Sequence, residues 1–198
     1  MQHFVYLAAL LFAATFEARA QDAANGVFLV AQPSLNEPTF RRTVILITQP
    51  PLVGPIGVII NRLTEISPGE VFPQHENIAA LPQKLHFGGP VARQNVIFLV
   101  RGDTPPPRSI SVLQNVYLVG DADWVEAALA DASKLLAVRV FAGHSGWAPG
   151  QLQNELKRGG WYVLPADSAT IFDKDIAAIW PELVKRAVLR PTVVEKIQ

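Results

Sequence analysis

Short apolar runs rich in β-branched residues, separated by proline and glycine, recur along most of the chain. Runs of this length and composition are typical of β-strands buried on one or both faces. A turn rich in proline and glycine separates the second run from the third, so these two are expected to pair as a hairpin. The predicted strands cover residues 27–31, 43–48, 57–60, 85–87, 95–100, 116–119, 136–141 and 161–164.

Helical patterns are fewer and lie mainly in the second half of the chain. Asp123 and Glu126 have the spacing of a capping box, which predicts that a helix begins at Asp123. A second helix is expected between Pro149 and Gly159, because proline suits a first turn and glycine ends a helix. Two more are expected over residues 173–180 and 181–188, with a break at the intervening proline.

Two stretches are predicted to be loops. They are residues 73–84 and the glycine-rich stretch Gly143–Gly150, which leads into the second helix. Residues 67–72 are expected to form one helical turn. Because neighbouring strands precede the helices and no regular βαβ alternation is present, the pattern predicts a single α+β domain with a largely antiparallel sheet.

The first 20 residues have the pattern of a cleavable signal peptide. The apolar run from Phe4 to Phe16 is followed by Ala18 and Ala20, small residues at the positions that signal peptidase requires. The run is too short for a stable membrane anchor. We expect cleavage after Ala20, which leaves residues 21–198 as a periplasmic or secreted domain. No Lys or Arg precedes the run, so a mis-assigned start codon or a buried N-terminal strand stays open as an alternative.

Charge and cysteine content exclude several classes of site. Lys plus Arg and Asp plus Glu each total 17, so the chain lacks the basic excess typical of proteins that bind nucleic acids or anionic membranes. Export would also remove the chain from DNA, so no nucleic acid is expected as a partner. The absence of cysteine excludes disulfides, thiolate metal sites and cysteine nucleophiles.

No metal, cofactor or catalytic residue is predicted. His75, His86 and His144 are widely separated and do not form a metal-binding motif. The Gly88–Gly89 turn lacks the remaining glycines and the following helix of a dinucleotide-binding motif. Ser145 does not have the spacing of a hydrolase nucleophile.

Five segments, in order, resemble the YqgE/AlgH family. The resemblance implies an α+β fold of coiled, bifurcated β-sheets flanked by helices. It implies little about activity, because the family is mostly uncharacterised and some members carry a transcriptional-regulator label. The segments are 28–33 with 40–44, 57–62, 87–91, 143–152 with Glu155, and 161–167.

Two features depart from the family pattern. Family members usually begin at the first strand as cytoplasmic proteins, whereas this chain has a predicted signal peptide. His144 and Ser145 stand where an aromatic and a small residue are more frequent, so a shared role for these two positions is in doubt.

The glycine-rich loop suggests a binding site, because backbone N–H groups at a helix N-terminus can bind an anion. Arg42 and Arg62 stand next to strands and could converge on this loop. We therefore expect a pocket for a small anionic or carboxylate-bearing ligand. The alternative is structural: the arginines pair with carboxylates, Asn61 caps a turn and Trp147 belongs to the core. The candidate binding residues are Arg42, Asn61, Arg62, Gly88, Gly89, Ser145, Trp147 and Gln151.

Three functions follow from this interpretation. The first is a non-enzymatic ligand-binding, accessory or regulatory protein acting outside the cytoplasm. The second is a hydrolase or transferase that uses a cleft at Arg42, Arg62 and Trp147. The third is an interaction module that offers a sheet edge to a protein partner. An enzyme would need convergent groups of shifted pKa, and an interaction module would need an open edge or apolar patch.

Overall fold

The computed structural model describes residues 26–50, 54–131 and 133–189. The predicted signal peptide therefore lies outside the described residues, and the 20/21 boundary stays a prediction. In the described part, nine strands form one sheet in the order β6-β7-β5-β8-β3-β2-β1-β9, with β4 beside β8. The strands are β1 (Val27–Ala31), β2 (Val44–Thr48), β3 (Ile56–Ile59), β4 (His86–Phe87), β5 (Val91–Arg101), β6 (Ile110–Leu113), β7 (Val116–Val119), β8 (Ala137–Gly146) and β9 (Trp161–Pro165).

Every pairing except β4–β8 is antiparallel, which confirms the predicted α+β class. The helices come mostly after the strands they cover. They are α1 (Pro68–Val71), α2 (Glu76–Ala79), α3 (Ala122–Leu129), α4 (Gln151–Lys157), α5 (Ser168–Phe172) and α6 (Ile176–Leu189).

Both faces of the sheet are buried, which explains the continuous apolar runs. In β1, Phe28 and Val30 pack into a central core that α6 covers. The alternate residues Leu29 and Ala31 pack on the opposite face, in a second cluster that we call the α4-side core because it includes Leu152 of α4. A third cluster lies between the β5–β7–β8 half of the sheet and α3. Each fully buried side chain of this size contributes roughly 2 kcal/mol of hydrophobic stabilisation.

The sheet is curled, so its two ends approach each other. The Gly26 N–H donates to the Val112 carbonyl of β6 at 2.7 Å, and the Ala166 N–H, beyond β9, donates to the Gly26 carbonyl at 3.3 Å. A side chain at residue 26 would lie 2.7 Å from the Val112 carbonyl oxygen, so glycine permits the contact. Main-chain contacts at one residue thereby link the two ends of the sheet.

The start of α3 differs from the prediction. Its N-cap is Asp121, whose side chain accepts from the Trp124 N–H at 3.0 Å. The Glu126 carboxylate does not complete a capping box but accepts from the N–H groups of Asn77 and Ile78 at 2.9 and 3.0 Å. A tertiary contact to α2 therefore replaces the local contact.

Two other expectations were wrong, and one strand was missed. Residues 73–84 contain the short helix α2, whose N–H groups Glu126 binds. The residues of β6 were not predicted to form a strand, although β6 pairs with β7. The stretch Gly143–Gly146 belongs to β8 and not to a loop, because it pairs with β3 and with Val91 of β5.

The C-terminal helices also begin and end at different residues than predicted. Residues 168–172 form α5, and α6 continues through Pro181 without a break. Pro181 removes the hydrogen bond to the carbonyl four residues earlier, near the helix start. Ile179 and Leu183 are buried on either side of it, and their packing holds the helix together.

Candidate functional site

Asn61 joins the ends of β2 and β3. Its Oδ1 accepts from the Val44 N–H at 2.7 Å, and its Nδ2 donates to the Arg42 carbonyl at 2.9 Å. The amide thus imitates a backbone pairing just beyond the last residues of the ladder. Both ends of the side chain are occupied by the protein itself.

Arg62 is also engaged by the backbone. Its guanidinium donates to the carbonyls of Thr39 and Arg41, the latter at 3.2 Å. Partial burial, with the nearby charge of Arg41, lowers the pKa of Arg62 from its ordinary value. The side chain holds the loop between β1 and β2 against the end of β3.

Arg42 lies on the central-core face of the sheet. Its guanidinium carbon is 5.6 Å from the centroid of the Trp180 ring, a cation–π contact. Trp180 belongs to α6 and donates its indole N–H to the Ala31 carbonyl at 2.8 Å. Arg42 therefore contacts α6 and not the glycine-rich stretch.

The predicted glycine turn is a point of close backbone approach. The Gly88 N–H donates to the Ala142 carbonyl at 2.9 Å, and its carbonyl accepts from Ile59 and from the Ser145 hydroxyl at 3.0 and 3.3 Å. A side chain at Gly88 would lie 2.2 Å from a backbone oxygen, and one at Gly89 would lie 2.3 Å from the His144 backbone. Ser145 is buried. These contacts support a packing role for all three residues.

Trp147 and Gln151 converge on a residue that was noted only for its family resemblance, Glu155. The indole N–H groups of Trp147 and Trp161 both donate to its Oε2 at 3.1 Å. Gln151 donates to its Oε1 at 2.9 Å and accepts from the Ala148 N–H at 3.1 Å. The strand–helix junction after β8 and the start of β9 are thus connected through one carboxylate.

Glu155 lies at the wall of an open cavity of about 420 Å³, which we call the Glu155 groove. The groove runs between the β1–β2 loop and the end of α4. The Phe40 and Trp161 rings form its aromatic side, with centroids 5.8 Å apart in an edge-to-face arrangement. The groove is lined by Ser34, Leu35, Glu37, Phe40, Glu155, Arg158, Gly159, Gly160 and Trp161.

The charges of the groove are unevenly compensated. No Lys, Arg or His nitrogen of the described residues lies within 4 Å of the Glu155 carboxylate, whose partners are neutral indole and amide groups. Glu37 accepts from the N–H groups of Thr39 and Phe40 at 3.0 and 2.8 Å. Arg158 is exposed at the rim. The lining holds two carboxylates and one guanidinium, and the nearby charge of Arg62 acts on Glu37, so Glu155 is the carboxylate without a described cation beside it.

The eight predicted residues do not form one contact network. Arg42 packs on the α6 side, whereas Trp147 packs against the α4-side core on the other face. Asn61 and Arg62 contact the backbone of residues 39–44, and Gln151 contacts Glu155. Ligand binding by these residues stays a prediction. Phe40 and Trp161 were not predicted to line a site. Trp161, a tryptophan at the start of a predicted strand, could have indicated it.

A second cavity, of about 560 Å³, lies beside His144. Phe72, Val96 and Phe98 provide much of its apolar lining. Burial lowers the pKa of His144.

A polar pair between β4 and β8 was not predicted. His86 is fully buried and its Nε2 lies 3.0 Å from Nη1 of Arg139. Because a guanidinium only donates, this nitrogen accepts, and the imidazole is neutral with its proton on Nδ1. Burial, with the Arg139 charge, lowers the pKa of His86 to about 4.

These features occur in a segment of chain that matches a known family. The family model described as AlgH-like matches residues 28–192. This chain belongs to the AlgH-like family. A UPF0301 protein of Mycobacterium tuberculosis (strain H37Rv) is 36% identical over 174 residues, covering 86% of this chain and 85% of the relative. A UPF0301 protein of Thermobifida fusca is 36% identical over 172 residues, covering 82% and 86%.

Two solved structures share the AlgH-like fold. The crystal structure of protein DIP2367 from Corynebacterium diphtheriae has a TM-score of 0.69 and 27% identity, covering 87% of this chain and 94% of that one. The solution structure of the AlgH protein from Pseudomonas aeruginosa has a TM-score of 0.64 and 26% identity, covering 86% and 89%. The family relationship predicted from the five segments is confirmed, and these relatives carry no established activity in their names.

None of the helices in the described ranges is both long and apolar enough to cross a bilayer. Within the same ranges, no three His, Asp or Glu side chains are grouped as a metal site requires.

Proposed function

We propose that this AlgH-like protein is a non-catalytic binding protein whose ligand occupies the Glu155 groove. The observation that carries the proposal is the state of Glu155: three neutral donors hold it, no described cation pairs with it, and it borders an open cavity of ligand size. A carboxylate held in one orientation beside aromatic side chains is suited to recognition.

The positions of the candidate nucleophiles support binding over catalysis. The Ser145 hydroxyl is buried and donates to the Gly88 carbonyl, so it is not presented to a cavity. A nucleophile needs a base within hydrogen-bond reach and room for a substrate. Its contact with a backbone carbonyl instead supports a role in packing.

The strands at the sheet ends support a ligand site over strand addition. β9 is five residues long and ends at Pro165, which has no N–H to donate and whose carbonyl accepts from Arg186 at 2.8 Å. At the other end, the Val112 carbonyl of β6 accepts from Gly26. Short, capped edges of this kind discourage the addition of a partner strand.

A screen of the purified protein against a metabolite set by thermal shift tests this function. A ligand at a hundred times its dissociation constant should add about 2.7 kcal/mol of stability. The Leu35→Trp variant places a large side chain in the groove and should lose the effect. Leu136→Trp, on an exposed leucine outside the groove, is the matched control. Hits that survive Leu35→Trp would place the ligand elsewhere and contradict the proposal.

We also propose that the protein works outside the cytoplasm, on the pattern of its first 20 residues. A regulatory role through direct DNA contact is then not expected. N-terminal sequencing of the exported protein should give Gln21 as the first residue. Retention of Met1 in the folded protein would contradict the export proposal.

A further inference from the structure

We infer that the Glu155 groove recognises an organic ammonium group, such as that of choline. This inference rests on the proposed function, since it names the ligand class of the same groove. It replaces the anionic ligand expected from the arginines, whose guanidinium groups are engaged elsewhere.

The first argument is the charge of the lining. Glu37 and Arg158 are both exposed at the rim and carry opposite charges, and the nearby charge of Arg62 also acts on Glu37. The half-buried Glu155 is the carboxylate that lines the groove without a described cation beside it. A carboxylate with neutral partners keeps its full charge, and low-dielectric walls strengthen its attraction for a cation. An anionic ligand would meet repulsion from the same group.

The second argument is the hydrogen-bonding capacity of Glu155. A carboxylate offers about four acceptor positions. Trp147, Trp161 and Gln151 use three of them. The carboxylate is therefore fixed in orientation while retaining room for one more contact.

The third argument is the aromatic side of the groove. Phe40 and Trp161 are in edge-to-face contact and both line the cavity, and because Trp161 is only 6% exposed, the half-buried Phe40 offers most of the accessible aromatic surface. Aromatic rings attract cations through their π electrons, and this attraction is strongest for weakly hydrated cations such as quaternary ammonium groups. Aromatic rings beside an uncompensated carboxylate thus complement both the charge and the apolar surface of a methylated ammonium.

The test is isothermal titration of the purified protein with choline and with its neutral carbon isostere, dimethylbutanol. Choline should bind at least about tenfold more tightly than the isostere, which corresponds to one well-placed ionic contact. Glu155→Gln should weaken choline binding by about tenfold and leave the isostere unaffected. Arg158→Gln, at the residue that follows α4, removes the positive charge of the lining and should tighten choline binding.

Glu65→Gln, an exposed glutamate outside the groove, is the control for general charge effects. Equal binding of choline and the isostere, or weaker choline binding in Arg158→Gln, would overturn the ammonium inference. If neither probe binds while the metabolite screen yields a ligand blocked by Leu35→Trp, the inference fails and the proposed function stands. If Glu155→Gln does not fold, the comparison of the two probes on the unmodified protein decides alone.

Discussion

The arginine end of β2 and β3 and the Glu155 groove both place a charged side chain beside an aromatic ring, yet the charges differ in what they contact. Arg62 donates to backbone carbonyls and Arg42 lies over the Trp180 ring. Glu155 contacts only neutral donors. Both Arg62 and Glu155 are therefore held by neutral dipoles, but Glu155 also lines an open cavity of ligand size. Access to a cavity, more than residue type, is what we expect to separate binding charges from structural charges.

The largest expected effect is on the free energy of unfolding, at the Gly88 turn. It tests whether the predicted site residues outside the Glu155 groove have a structural role. Gly88→Ala would place a methyl group 2.2 Å from the Gly143 carbonyl oxygen. Because both atoms belong to packed backbone, we expect the free energy of unfolding to fall by about 4 kcal/mol. Urea denaturation measures this. Gly120→Ala, where no atom lies within 4 Å of the added carbon, is the control. Equal stability of the two variants would contradict a packing role.

The next effect concerns the buried His86 and its partly buried partner Arg139. The pKa of His86 is about 4 in the folded state and its ordinary value is 6.5, so the unfolded chain binds the proton first as the pH falls. The contribution of the neutral His86 to the free energy of unfolding should be fully present above pH 6.5. It should be lost as the pH falls toward 4, by about 3 kcal/mol. Denaturation at several pH values, compared with His86→Gln, isolates this residue. A variant with the same pH dependence as the unmodified protein would contradict the assignment.

A smaller effect is expected at Asn61. Asn61→Ala leaves the Val44 N–H and the Arg42 carbonyl without their side-chain partners, which should cost about 2 kcal/mol of unfolding free energy. Asn154→Ala, on an exposed position of α4, should change stability by less than about 0.5 kcal/mol. Ligand binding in the groove should be unchanged by Asn61→Ala. Loss of ligand binding without loss of stability would show that Asn61 takes part in the binding site.

The smallest effect is expected at Arg42, where one contact with Trp180 is involved. Arg42→Ala should lower the free energy of unfolding by less than about 1 kcal/mol, the range of an exposed cation–π pair. Arg42→Lys should recover part of it. If Arg42→Ala folds but no longer binds choline, the ligand lies on the α6 side. That result would contradict the assignment of Arg42 to structure and of Glu155 to binding.

The sequence predicted most of the sheet because its strands are buried on both faces. In β1 and β2 every second residue packs on one face and the rest on the other, so each strand is a continuous apolar run. β6 was missed because its short run has no comparable apolar continuity. The ends of the helices were harder to predict, because tertiary contacts determine them. Glu126 binds the N-terminus of α2 and does not cap its own helix, and α6 continues through Pro181 because both sides of it are packed.

The candidate site was harder to predict because its composition depends on tertiary contacts. Trp147 and Gln151 were predicted to bind a ligand, which stays a prediction, and in the structure their shared partner is Glu155. The second indole, Trp161, reaches that carboxylate only because β9 pairs with β1 beside α4. The arginines were predicted to line the site because of their charge. The contacts of Arg62 with backbone carbonyls depend on the path of the β1–β2 loop and could not be predicted from residue type.

The most direct test of the central claim uses the four tryptophans as reporters. Their indole N–H signals can be followed by NMR during a titration with choline, and assigned with single Trp→Phe variants. We predict that the signals of Trp147 and Trp161, which donate to Glu155, shift together while those of Trp124 and Trp180 stay in place. Movement of the Trp180 signal with the two groove signals unchanged would locate binding beside Arg42 and contradict the account.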